Sequence, residues 1–117
     1  MMEKWVIAYV IGFVLRQLDK FQHEIDWSKV KADVDVRIRA LVPGKMFGEE
    51  AVKLVNTILD ETAFLMSEGP QLKAILDLLA AEKWSEAGQA LLAMLMDAVK
   101  DAATKASLVD FQKANLI

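Results

Sequence analysis

Eleven consecutive residues, Trp5 to Leu15, read Trp-Val-Ile-Ala-Tyr-Val-Ile-Gly-Phe-Val-Leu without a single charged side chain. A helical segment that is apolar on every side has to be surrounded, so this stretch dictates that other parts of the chain, or other molecules, gather around it. The pattern continues with Leu18, Phe21 and Ile25 at helical spacing, now interleaved with Arg16, Gln17, Asp19, Lys20, His23 and Glu24. The spacing predicts one long first helix over about residues 3–25, apolar all round in front and amphipathic behind. Eleven apolar residues fall short of the ~20 needed to span a bilayer as a helix. Glu3 beside Lys4, and Arg16-Gln17-Leu18-Asp19 closing the run without a small-residue cleavage site, do not fit a secretory signal. The expected location is the cytoplasm or the inside of an assembled particle, with no secretion and no transmembrane span.

Residues 27–42 carry two periodicities at once. Val30, Ala32, Val34, Val36, Ile38 and Ala40 alternate with charged residues as in a half-buried strand. Trp27, Val30, Val34, Ile38 and Leu41 also form a helical stripe, with Asp26 placed to cap it and Asp33–Arg37 and Asp35–Arg39 spaced as i,i+4 pairs. No other segment alternates, and a lone strand would leave its backbone groups unpaired, so the helix is the expected state. Val42-Pro43-Gly44 stops it. A third helix is expected over 49–67, opened by Glu49 and Glu50 near its positive pole. A fourth follows over 70–82 with Pro70 in its first turn. The fifth, over 85–105, has two adjoining apolar rows, Leu91–Leu95–Ala98–Ala102 and Leu92–Met96–Val99–Ala103, with Asp101–Lys105 as a further i,i+4 pair. Residues 106–117 form a tail, either a short docking helix or an arm. The fold class is therefore all-α: one domain over 1–117, a compact bundle of four to five helices with a long apolar N-terminal helix.

Composition narrows function by exclusion. Without cysteine, and with His23 as the only histidine, thiolate zinc sites, iron–sulfur clusters, cysteine nucleophiles and multi-histidine metal centres are out of reach. A net charge of −3, with the acidity concentrated after residue 58, disfavours non-specific binding to nucleic acid. The basic residues Lys29, Lys31, Arg37 and Arg39 are interrupted by Asp33 and Asp35, so their field largely cancels and they read as a salt-bridged solvent face.

The remaining candidates for chemistry are thin. His23 stands alone on a polar helix face, with no nucleophile–base partner in view. Glu49/Glu50, Asp60/Glu61 and Asp97/Asp101 are acidic pairs, and two carboxylates are too few for a protein-built magnesium or calcium site. Met66, Met94 and Met96 read as adaptable core packing, and Trp5, Trp27 and Trp84 as anchors at helix starts. No catalytic, cofactor-binding or metal residue is assigned, no small molecule is identified and no cofactor is expected.

Hydrophobic residues make up 55% of the chain, above the usual share even though sixteen of them are alanine. That surplus suggests a non-enzymatic structural or interaction protein that works as a homo-oligomer or with a protein partner, such as a small virion or scaffold component. Its expected interface is Trp5, Ile7, Tyr9, Val10, Phe13 and Val14. The alternatives are a peripheral membrane protein lying on the bilayer through the same helix, with Trp5 and Tyr9 at headgroup level, and a helical bundle that binds a small ligand.

Overall fold

A computed structural model describes residues 4–41, 45–67 and 69–114, except for the side chains of residues 23, 41 and 45–50. Within them the chain forms six α-helices and one 3₁₀ turn, with no strand: α1 (Lys4–Phe21), the 3₁₀ turn (Gln22–Glu24), α2 (Trp27–Leu41), α3 (Lys45–Met66), α4 (Gly69–Ala80), α5 (Trp84–Ala98) and α6 (Ala102–Ala114). The all-α class is as expected, but there are six helices where four to five were counted.

The first difference lies in α1. It has 18 residues, fewer than the 22 of α3, and ends at Phe21 rather than near residue 25. Gln22 adopts φ 54°, a left-handed conformation that breaks the α-helical hydrogen-bond ladder, and the 3₁₀ turn carries the chain to Asp26. There Asp26 caps α2 as its position suggested: its Oδ1 accepts from the Lys29 N–H at 3.2 Å and its carbonyl from the Val30 N–H at 3.0 Å. Residues 27–41 are helical, with Val30, Val34 and Ile38 as the buried stripe, so the i+4 spacing prevails over the alternation.

The second difference is at the far end. The helix expected over 85–105 is interrupted at 99–101, where Val99 turns extended (ψ 127°) and Asp101 starts a new helix. Of the two states expected for the tail, a docking helix or an arm, the described part is the helix: residues 106–114 belong to α6, held in place by Thr104, Leu108 and Phe111. The third helix also begins earlier than expected, at Lys45. The proposed stop at Val42-Pro43-Gly44, and Leu116 and Ile117 of the tail, lie outside the described residues.

Helix α1 is the axis of the molecule and touches all five other helices. The α2–α3 hairpin covers one flank and the α4–α5 hairpin another, while α6 folds back across α1, α5 and α3. The result buries Val6, Ile7, Val10, Ile11, Phe13, Val14, Leu15 and Leu18 inside the chain's own core. The radius of gyration is 13.4 Å, matching the value of about 13.4 Å typical of a single domain of this length. One chain therefore supplies the covering that the apolar run demands, and the long apolar helix of the sequence reading becomes a central one of ordinary length.

Turn chemistry shows how α4 joins α5. Glu82 Nα–H donates to the Leu79 carbonyl at 3.0 Å and Lys83 N–H to the Leu78 carbonyl at 2.9 Å, the paired bonds of a Schellman cap, with Glu82 at φ 61°. Glycine takes that conformation without the strain a β-carbon brings. Glu82→Gly is expected to raise stability by about 1 kcal/mol, seen as a higher urea midpoint at unchanged slope, whereas Glu82→Val should lower it.

Candidate functional site

The residues expected at an interface do not form one surface. Ile7, Val10, Phe13 and Val14 are buried against the chain's own helices. Tyr9 is half-buried and stacks on Phe13, ring centroids 6.3 Å apart. Trp5 alone stays substantially open, 41% exposed at the start of α1. The apolar face that a bilayer-lying helix would need is likewise inside the fold, and among the described residues no helix is long and apolar enough to cross a membrane.

What the fold leaves open lies instead around α2. Among the described side chains of this helix only Val30, Val34 and Ile38 are fully buried, and its back faces outward. On the α1 side, Gln17, Lys20, Phe21, Glu24, Asp26, Lys29, Val30 and Asp33 line a groove of about 330 Å³. Its charges are mixed, and Lys20 Nζ sits 5.2 Å from the centre of the Phe21 ring. On the α3 side a shallower groove of about 420 Å³ runs past Ser28, Lys31, Ala32, Asp35, Arg39, Val52 and Asn56. A salt bridge from Lys31 Nζ to Asp60 Oδ1 at 2.9 Å spans the two antiparallel helices. Exposed as it is, this pair contributes at most about 1 kcal/mol.

Most of the basic face of α2 is used internally. Arg39 Nε pairs with Asp35 at 3.2 Å, as its spacing suggested. The Arg37 guanidinium lies over the Phe13 ring at 5.5 Å. Apolar side chains are what remain outside: Val36 on the back of α2 is 68% exposed and Phe64 on α3 is 64% exposed. One turn from the Lys31–Asp60 bridge along each helix lie the half-buried Trp27 on α2 and the exposed Phe64 on α3. At 100° per residue Phe64 falls opposite the buried Val55, Thr62 and Met66 on α3, a signal of exposure that the sequence carried and the reading above did not use.

Titratable chemistry is sparse. Among the described residues no group of three or more His, Cys, Asp or Glu converges as a metal site would. The His23 and Glu49/Glu50 side chains lie outside those described. Asp97 and Asp101, which a continuous helix would have stacked, are separated by the break at 99–101. Asp101 is instead the cap of α6. Its Oδ2 accepts from Thr104 Oγ1 at 2.7 Å and from the Thr104 N–H at 2.9 Å, so the expected role in an i,i+4 pair with Lys105 gives way to a capping one.

Those two bonds from Thr104 hold the Asp101 carboxyl below its ordinary range, against an opposing effect of burial and with a lesser contribution from the positive charge of Lys53. A carboxylate whose folded value is lowered stabilises the fold above its unfolded value, and that contribution is lost as pH falls through the lowered one. Thermal melts of the unaltered chain and of Asp101→Asn should therefore differ most near neutrality and converge in acid. Equal pH profiles for the two would show that the cap carries no charge-dependent stability.

No protein-family model, no curated protein sequence and no solved structure matches this chain.

Proposed function

We propose that this chain is a small non-enzymatic interaction subunit that assembles with further copies of itself or with a protein partner through its α2–α3 face. The observation that carries the reading is the exposure of Phe64 and Val36, two large apolar side chains about two-thirds open on one hairpin. An exposed aromatic ring such as that of Phe64 is the type of anchor that dominates binding energy at protein interfaces. The acidity shift at Asp101 belongs to a helix cap, which gives a catalytic reading nothing comparable to rest on. A cysteine-free chain of this kind suits the cytoplasm or an assembled particle, such as a virion or a scaffold.

Sedimentation equilibrium over a wide concentration range tests self-assembly. The intact chain is expected to associate reversibly above its 13.1 kDa monomer mass. Phe64→Asp should weaken that association about tenfold or more while leaving the circular dichroism spectrum unchanged. A monomer at every concentration removes self-assembly and leaves a protein partner as the reading.

A further inference from the structure

The joint between α5 and α6 holds two structural instructions that disagree. The apolar rows of α5, Leu91–Leu95–Ala98 and Leu92–Met96–Val99, continue in helical spacing into Ala102 and Ala103. Residues 99–101, Val-Lys-Asp, contain neither glycine nor proline, so nothing in the covalent chain forces a break. The break is maintained by the Asp101 cap with its two bonds from Thr104, and by the docking of α6 through Leu108 and Phe111, both fully buried. In the broken form the first N–H groups of α6 have no helical acceptor beyond that cap. A continuous helix would give them one.

From this we propose that α6 is an exchangeable element. The joint straightens, α5 and α6 become one helix over 84–114, and each α6 occupies the site on α1, α3 and α5 of a second copy. The inference rests on the self-assembly reading above and names its partner as another copy of this chain. Two features favour that occupant. The site is already shaped to α6, since the closed molecule uses the same contacts, so exchange changes only the joint. A continuous helix over 84–114 would also be ~46 Å long. That exceeds the 39 Å long axis of the molecule, so a straightened α6 must leave its own chain and its site must be refilled.

Two substitutions at exposed joint positions push in opposite directions. Asp101→Ala removes the cap and raises the helical tendency of the joint, and should shift the monomer–dimer balance toward dimer about tenfold or more. Ala102→Pro suits the first turn of a separate α6 but its ring and missing N–H block a continuous helix, so it should abolish the exchanged dimer. Light scattering gives the mass and small-angle X-ray scattering the shape, where exchange predicts a particle far longer than two side-by-side globules. Should Asp101→Ala fail to fold, refolding the unaltered chain and Ala102→Pro at high concentration asks the same question, since only the former should yield the exchanged dimer. A dimer that Phe64→Asp dissociates and Ala102→Pro leaves intact overturns the exchange while keeping the surface reading. A folded Asp101→Ala that stays monomeric at millimolar concentration overturns it as well.

Discussion

Val10→Asp should unfold this protein. Val10 is completely buried on α1, the helix that every other helix packs against. An aspartate there would place a carboxylate among apolar side chains, with ionisation opposed by burial and no partner to hand. The expected loss exceeds about 4 kcal/mol, a large part of the 5–15 kcal/mol that holds a typical domain together. Circular dichroism should show loss of most helical signal, or a urea midpoint close to zero. Val36→Asp supplies the contrast on the back of α2. With that side chain 68% exposed, stability should change by no more than about 0.5 kcal/mol. If Val10→Asp left a folded monomer, α1 would not be the axis described here.

Truncating Phe111 should have the next largest effect. It is the bulkiest of the fully buried side chains and lies on α6, whose other buried positions are Leu108 and Thr104. Phe111→Ala removes a whole ring and leaves a void that the neighbouring helices fill only in part, for a cost of about 3–5 kcal/mol. The melting temperature should fall by roughly 10–20 °C. Because the described anchors of α6 are Thr104, Leu108 and Phe111, its amides should lose hydrogen-exchange protection first, ahead of those in α1. Uniform loss across all helices would instead mean that α6 is part of one indivisible core.

Both expectations depend on a placement that the sequence did not supply. The run from Trp5 to Leu15 announces a helix that must be covered, and that much is legible from hydrophobicity alone. Whether the covering comes from the same chain depends on how many companion helices there are and how they wrap. Reading 85–105 as one helix and 106–117 as a tail removed α6 from the count, and with it one of the elements that closes over α1. A second copy or a protein partner was then expected around Ile7, Val10, Phe13 and Val14, which the chain buries by itself.

Part of the candidate surface was legible. Phe64 neighbours the core positions Leu65 and Met66 in sequence, yet at 100° per residue it falls on the side of α3 opposite the buried Val55, Thr62 and Met66, a signal that was passed over. The signal for the α5–α6 joint was present, in an aspartate followed three residues later by a threonine, but it competed with uninterrupted apolar rows and an apparent Asp101–Lys105 pair.

By itself, the sequence determined that this is an all-helical chain. It placed the Asp26 cap and the i+4 stripe of α2, and it set the apolar faces of α3, α4 and α5. These are local properties, written in side-chain periodicity and in hydrogen bonds between residues a few positions apart. Only the tertiary structure decided what covers α1 and which of two helical arrangements residues 99–105 adopt. Periodicity says which face of a helix is apolar but not what lies against it. A cap and a continued helix differ by a hydrogen bond or two, so the choice falls to distant packing, here the burial of Leu108 and Phe111 against α1, α3 and α5.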